Sequence, residues 1–274
     1  MRILLTNDDG IRSDGLWAAA RGLARAGDLT VIGTADDWSN GSASIRHVIG
    51  SRIARYDEVP EDVPSSVKAY SIEASPGGAI LAGVMTGLFE PFDLVVSGAN
   101  YGINIGGDLL YSGTFGAALV GFQRGLTAFA ISSERGVNRG EEQRWDGIAD
   151  VAERIATWML KRQGEPILLN VNVPNRRFAE LTGARVVKPA SWANLDRAKL
   201  AADPESDGSW RISAQFSRLI PNTDDPDTDF AAVFAGQVAV TTLVPIGRPG
   251  VPPPADIGNL LAALTPNGQT GTII

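Results

Sequence analysis

The chain has 274 residues, 44% of them apolar, which is enough to bury a large core in one domain or in a domain with an appendage. Its 24 basic and 31 acidic residues leave a net charge of -7, so neither a nucleic-acid duplex nor an anionic membrane is expected as a partner. Cysteine is absent, which excludes disulfides, thiolate metal sites and cysteine nucleophiles. The first apolar run is too short for a signal peptide or a membrane helix, and we expect a cytoplasmic protein.

The first two-thirds of the chain alternate short apolar strands with helices. Residues 3–6 form an unbroken apolar run that is typical of a strand buried on both faces, and "LTVIG" repeats the pattern after a helix. Such alternation predicts a doubly wound, mainly parallel α/β sheet, whose ligands bind beyond the carboxyl ends of the strands. The other predicted strands are "DLVVSG", residues 128–132 and "PILLNVNVP", and the predicted helices begin near Leu16, Pro76, Thr114 and Trp145.

The last third has a different character. From residue 184 onward, the strand-like segments "ARVV", "SWRISAQF" and "GQVAVTTLVP" are separated by Asp-rich and Pro-rich stretches, and a helix is predicted only at "DIGNLLAAL". This pattern favours β-hairpins that project from the core. We therefore expect an α/β core at residues 1–183 that carries the site, and a β-rich extension with a C-terminal tail at residues 184–274 that makes oligomer contacts.

Two adjacent carboxylates, Asp8 and Asp9, directly follow the first strand. Both would be ionised at neutral pH and would repel each other unless a positive group lies between them, and a metal ion is the simplest such group. An Asp-Asp-Gly turn is the competing interpretation of this segment, because Asp and Gly are common turn residues. The single histidine, His47, is interpreted as a surface or packing residue rather than a ligand.

A glycine-rich segment, "SGANYGINIGGDLLYSGT", follows another predicted strand. Its backbone N–H groups could approach a phosphate, and Thr114 begins a helix whose N-terminus favours anions. Aspartate, asparagine and serine oxygens suit Mg²⁺ or Mn²⁺ better than zinc. A structural turn remains the alternative, because the segment has no Walker lysine and no G-x-G-x-x-G pattern.

Four separated motifs together resemble the SurE family of metal-dependent 5′/3′-nucleotidases, also called stationary-phase survival proteins. They are "MRILLTNDDGI", "DDWSNGSAS", "VVSGANYGINIGGDLLYSGT" and "TDFAAVFAGQVAVTTL". The resemblance implies a Rossmann-like domain, an extension that exchanges between subunits of a homodimer or homotetramer, and hydrolysis of nucleoside monophosphates to nucleoside and phosphate.

The resemblance also implies roles for particular residues. One divalent ion per subunit, Mg²⁺ or Mn²⁺, would be held by Asp8, Asp9, Ser39 and Asn100. Asn7 would orient these ligands without binding the metal itself. The phosphate-binding positions would be Asn104, Ser112, Gly113 and Thr114.

The expected mechanism is metal-assisted transfer of a phosphoryl group to water, with Asp8 or Asp9 orienting that water. A covalent phosphoaspartate at Asp8 is the rival route. Two departures from the family pattern, Gly78 where an aspartate is expected and Val120 where an acidic residue is expected, put the substrate pocket and the subunit interface in doubt. They leave open the alternative of a paralogue that binds nucleotide or metal without turnover and acts as a regulatory protein.

Overall fold

The computed structural model describes residues 1–193, 196, 198–216, 225–243 and 256–265. Nine of the described strands form one sheet, and two more form a separate antiparallel hairpin. The sheet strands are β1 (Arg2–Thr6), β2 (Asp28–Thr34), β3 (Ile53–Arg55), β4 (Lys68–Ile72), β5 (Leu94–Tyr101), β6 (Thr127–Ser133), β7 (Leu168–Val173), β8 (Gly183–Val186) and β11 (Gln237–Thr242). The hairpin strands are β9 (Ala198–Pro204) and β10 (Trp210–Phe216).

Six α-helices accompany these strands in the described ranges: α1 (Asp14–Ala26), α2 (Pro76–Met85), α3 (Gly113–Gln123), α4 (Asp146–Lys161), α5 (Asp229–Phe234) and α6 (Ile257–Ala263). The order of strands in the large sheet is β3-β4-β2-β1-β5-β6-β7-β11-β8. Strands β4, β2, β1, β5, β6 and β7 run parallel to one another. The predicted doubly wound, mainly parallel sheet is confirmed.

The core lies on both faces of this sheet, as the unbroken apolar sequence of β1 requires. Ile3 and Leu5 pack into the cluster formed with α1, α4 and α6. Leu4, which points to the opposite face because side chains alternate along a strand, packs into the cluster formed with α2 and α3. The helices α1 and α4 approach closely at Gly22, where a Cβ would lie 1.9 Å from the Ala149 carbonyl oxygen.

The strand order reverses at β1. The chain leaves β1 through α1 to β2 on one side, whereas β5 pairs with β1 on the other side. In doubly wound sheets a crevice opens at such a reversal, outside the carboxyl ends of the two strands. The segments after β1 and β5 therefore meet at the position where ligands bind in this architecture.

The structure differs from the sequence-based expectation in the last third. The predicted strands "ARVV" and "GQVAVTTLVP" lie in the large sheet as β8 and β11, and β11 pairs with both β7 and β8. The expectation that "GQVAVTTLVP" belongs to a hairpin projecting from the core was therefore wrong, because both edges of β11 are paired within the large sheet. The physical reason is that Val238, Ala239 and Val240 are fully buried, which requires protein on both faces of the strand.

The hairpin of β9 and β10 is the projecting element that was expected, and "SWRISAQF" forms β10 as predicted. The helix predicted at "DIGNLLAAL" is α6. The strands β3, β4 and β9 and the short helix α5 were not predicted, and the Pro-rich stretch at 247–254 lies outside the described residues. Among the helices that the structure describes, none is long and apolar enough to cross a membrane.

Candidate functional site

Asp8 and Asp9 lie just past β1, at its carboxyl end. The Asp8 side chain is only 3% exposed, whereas that of Asp9 is half-buried. Asn7 fixes the turn that follows, since its Nδ2 donates to the Gly10 carbonyl at 2.8 Å and to Ser13 Oγ at 2.7 Å. These two bonds make the exit from β1 rigid, and the support of the ligands by Asn7 stays a prediction.

The first turn of α3 lies directly against Asp8. Thr114 Oγ1 donates to Asp8 Oδ1 at 2.6 Å, and Ser112 Oγ caps the helix by accepting the Phe115 N–H at 3.0 Å. A Cβ on Gly113 would lie 2.7 Å from Asp8 Oδ2, so a side chain at this position would displace the carboxylate. The segment predicted to bind phosphate and the segment predicted to bind metal are therefore in contact.

The end of β5 supplies the second wall of the crevice. The Tyr101 N–H donates to Asp9 Oδ2 at 3.0 Å. Asn100 Nδ2 donates to the Gly102 carbonyl at 2.6 Å, which orients the side-chain amide and leaves its Oδ1 as an acceptor. Asn100, near the end of β5, and Asp9, just past the end of β1, are thereby held at the same edge of the sheet.

Ser39 lies on the loop after β2. The Trp38 N–H donates to the Asp8 carbonyl at 2.7 Å, which ties this loop to the aspartate turn. The exposed Ser39 hydroxyl donates to Asp37 Oδ1 at 2.6 Å. The structure therefore places Ser39 beside the site but engages its hydroxyl with Asp37, a carboxylate that the sequence reasoning did not select.

Asn104 is buried beneath the crevice in a network of amides. Its N–H donates to Asn172 Oδ1, and its carbonyl accepts from Asn170 Nδ2 at 2.9 Å and from Asn172 Nδ2 at 2.8 Å. Its own side-chain Nδ2 donates to Ser132 Oγ at 2.9 Å. Side chains of β6 and β7 thus fix the conformation of the glycine-rich loop at Asn104.

Burial raises the pKa of both carboxylates, and neighbouring charges shift each pKa further. Burial, followed by the neighbouring charge of Asp9, raises the pKa of Asp8 from 3.8 to about 6, and the hydrogen bond from Thr114 opposes this shift. Burial also raises the pKa of Asp9, against the opposing hydrogen bond from the Tyr101 N–H. Asp37 raises the pKa of Asp9 further, and the positive charge of Arg135 lowers it. The metal-free site is therefore electrostatically unfavourable and would be stabilised by a cation.

The donor atoms fit a hard divalent ion. The segments after β1 and β2 and the end of β5 offer two carboxylates, a hydroxyl and an amide oxygen, and such ligands suit Mg²⁺ or Mn²⁺. Within the described ranges there is no group of three or more His, Cys, Asp or Glu that could hold a metal. The ligand set would therefore consist of Asp8 and Asp9 with neutral oxygens, a composition that Mg²⁺ accepts because it keeps several waters and binds substrate phosphate.

Gly78 and Val120, which the sequence reasoning named among the departures from the family pattern, lie in the adjacent helices α2 and α3. Gly78 is buried in the first turn of α2, where its N–H donates to Ser75 Oγ at 3.3 Å. A Cβ on the adjacent Gly77 would lie 2.5 Å from the Ser44 carbonyl and 3.2 Å from Val120 Cγ2. The absence of larger side chains therefore lets the loop that carries Ser39 pack onto the start of α2.

His47 belongs to that same loop. It is exposed, and its ring lies 5.8 Å from the ring of Trp38. No hydrogen bond or ion pair links His47 to the aspartates in the described structure, in keeping with the surface or packing role expected for it.

Three features of the site escaped the sequence reasoning. Asp229, in the motif "TDFAAVF", accepts the N–H groups of Gly106 and Ala190, both at 2.9 Å, and so anchors the glycine-rich loop. Arg135 follows β6, and the Asn170–Asn172 pair lies within β7, with Asn172 next to its last residue. The rule that selected Asp8, that polar residues at the carboxyl ends of parallel strands are functional candidates, would have selected them as well.

Comparisons with known proteins give matches over most of this chain. Residues 3–195 match the family model described as "Survival protein SurE". The 5'-nucleotidase SurE of Dehalococcoides mccartyi is 33% identical over 89% of this chain and 88% of its own length. The 5'-nucleotidase SurE of Herpetosiphon aurantiacus is 35% identical over 89% of this chain and 92% of its own. The crystal structure of the SurE protein from Aquifex aeolicus superimposes with a TM-score of 0.70 at 27% identity, covering 89% of this chain and 93% of that one.

Proposed function

The chain belongs to the SurE family, and from this premise we propose that it is a divalent-metal-dependent 5′-nucleotidase that hydrolyses nucleoside monophosphates to nucleoside and phosphate. The observation that carries the proposal is the contact of Asp8 with Thr114 at 2.6 Å. It joins an anionic site suited to a cation with the N-terminus of α3, which is suited to a phosphate. A phosphomonoester bound there would have its phosphorus beside both groups.

The metal would be held by Asp8, Asp9 and Asn100, with Ser39 beside them once its hydroxyl is released from Asp37. A divalent ion in this place supplies Lewis-acid polarisation of a phosphoryl oxygen and lowers the pKa of water. Asp9, which is half-buried and so reachable from solvent, would orient the attacking water. The burial of Asp8 and its bond to Thr114 support the water route over a phosphoaspartate, since a nucleophile must reach phosphorus directly.

The phosphate would be bound by the backbone N–H groups at Gly113 and Thr114. Ser112 caps the helix, and its hydroxyl can also reach an anion at the helix end. Asn104 is held by Asn170 and Asn172, so its contribution would be a preorganised loop as well as its side chain. Thr114 would act chiefly through Asp8, because its hydroxyl already donates there.

Hydrolysis of AMP and GMP tests this function. We expect the purified protein to release inorganic phosphate with Mg²⁺ or Mn²⁺, and to lose this activity in EDTA and recover it when the metal is returned. Nucleotide binding without phosphate release would instead favour the regulatory alternative. The adjacent carboxylates Asp8 and Asp9 argue against that alternative, because a protein without turnover has little physical reason to keep two mutually repelling side chains.

We also propose that the hairpin of β9 and β10 contacts a second subunit, in a homodimer or homotetramer. Leu200, Trp210 and Ile212 on this hairpin are each more than 60% exposed, and a two-stranded hairpin is poorly stable alone. Light scattering at micromolar concentration should give a mass of at least two chains, and a monomer would contradict this part of the proposal. The cytoplasmic location and the division at residues 183 and 184 stay predictions.

A further inference from the structure

The proposed reaction leaves a charge problem at the site. Asp8 and Asp9 would just balance one divalent ion, whereas a phosphomonoester brings a charge of about −1.5 to −2 at pH 7. The glycine-rich segment from Ser97 to Thr114 contains no lysine or arginine. A substrate phosphate bound only by backbone N–H groups would therefore lie near several carboxylates without a compensating side chain.

Arg135 lies at the rim of this crevice. It follows β6, whose carboxyl end is next to that of β5. Its Nε donates to the Tyr101 carbonyl at 2.8 Å, and the N–H of the same tyrosine donates to Asp9 Oδ2. A single residue thus links the guanidinium to the carboxylate that would orient the attacking water.

The guanidinium is held in a defined position. Its Cζ lies 5.0 Å from the centre of the Tyr101 ring, a distance at which a cation is attracted to the ring face. Gly102, with a φ of +130°, leaves room for it, because a Cβ there would lie 2.9 Å from Arg135 Nε. Among the described contacts Arg135 uses only Nε as a hydrogen-bond donor, so the fork of its two terminal nitrogens can bind an anion.

We propose that Arg135 is a substrate-binding residue that receives the phosphoryl group of the nucleoside monophosphate and compensates its charge. This inference rests on the proposed function. The observation that carries it is the fixed guanidinium, which is bonded to Tyr101, the same residue that donates its N–H to Asp9. That the charge of Arg135 lowers the pKa of Asp9 agrees with a position close to the anionic site.

The experiment compares Arg135→Ala and Arg135→Lys with the wild type. In Arg135→Ala we expect the KM for AMP and the inhibition constant of inorganic phosphate to rise about tenfold or more, because hydrogen bonds to charged groups are lost. Arg135→Lys should fall between, since it keeps the charge without the planar fork. Inhibition by adenosine, which has no phosphate, should stay unchanged. Arg55→Ala is the matched control and should leave these constants unchanged, because Arg55 is an exposed residue of β3 that pairs with Asp57.

A calorimetric titration with Mn²⁺ separates this role from a purely structural one. Removal of a nearby positive charge should leave Mn²⁺ affinity unchanged or higher, whereas damage to the Tyr101 and Asp9 contacts would lower it. Phosphate constants within twofold of wild type, or an equal loss of adenosine binding, would overturn the proposal. Calorimetric binding of inorganic phosphate to the Mg²⁺-supplemented protein tests Arg135 even if the wild type hydrolyses no nucleotide, so the two proposals can fail separately.

Discussion

Replacement of Asp8 by asparagine should stabilise the metal-free protein at neutral pH while it removes metal-dependent activity. Asp8 is almost fully buried beside a second carboxylate, and its pKa is raised from 3.8 to about 6. The folded state therefore binds the proton more tightly than the unfolded state does. The destabilisation is absent below pH 4, grows as the pH rises from about 4 to about 6, and is complete above that.

The magnitude follows from the two pKa values. Each pH unit of difference corresponds to roughly 1.4 kcal/mol, so the ionised form of Asp8 destabilises the metal-free fold by about 3 kcal/mol at pH 7.5. An asparagine Oδ1 can still accept the hydrogen bond from Thr114, so the packing around α3 is kept. Asp8→Asn should thus raise the free energy of unfolding by up to about 3 kcal/mol at pH 7.5 and by only about 1 kcal/mol at pH 4.5.

Denaturation with urea in EDTA at these two pH values measures the effect. Asp62→Asn is a control of opposite sign, because the hydrogen bond from Arg21 lowers the pKa of this exposed carboxyl and its loss should destabilise slightly at pH 7.5. Addition of Mg²⁺ or Mn²⁺ should then stabilise the wild type and leave Asp8→Asn unaffected. Destabilisation of Asp8→Asn at pH 7.5, or a difference independent of pH, would refute the electrostatic reasoning.

Three further substitutions probe the surroundings of Asp8. Gly113→Ala should abolish metal binding in a calorimetric titration, because its Cβ would lie 2.7 Å from Asp8 Oδ2, whereas Gly258→Ala, with nothing within 4 Å, should bind normally. Thr114→Ala should lower kcat/KM by the equivalent of roughly 1–3 kcal/mol, since Asp8 loses a charge-assisted hydrogen bond, and an unchanged rate would count against this role. Asn172→Leu should lower the free energy of unfolding, measured by urea denaturation, by roughly 1–3 kcal/mol. The reason is that the Asn104 N–H and carbonyl each lose a buried hydrogen-bond partner. An unchanged free energy of unfolding would show that water replaces the lost side-chain amide.

The central part of the fold was predictable from sequence because its strands are buried on both faces. A strand such as β1 must be apolar without interruption, and Asp8 then marks the point where it leaves the core. The same reasoning should have been applied to β11: its segment "QVAVTT" has apolar residues pointing to both faces, which indicates an interior strand rather than an exposed hairpin. The strands β3 and β4 lie at one edge of the sheet, have only three and five residues and carry polar positions, so their signal is weak.

The composition of the site was predictable, but its connections were not. Asp8 and Asp9 could be selected because they follow β1, whereas Asn100, which lies near the end of β5, was selected only through the family resemblance. The bond between Thr114 and Asp8 spans 106 positions in sequence, and that between Gly106 and Asp229 spans 123. Contacts over such separations depend on how helices pack on the sheet, which residue spacing does not encode.

Titration of the purified protein with Mn²⁺ tests the central claim most directly. The proposed site predicts one ion per chain in the wild type and a loss of affinity of at least about tenfold in Asp9→Asn, which removes a carboxylate without disturbing the Thr114 contact. Asp36→Asn, a change at an exposed carboxylate in the neighbouring loop, should bind as the wild type does. Equal affinity and stoichiometry in the wild type and Asp9→Asn would contradict the assignment of the metal to these aspartates.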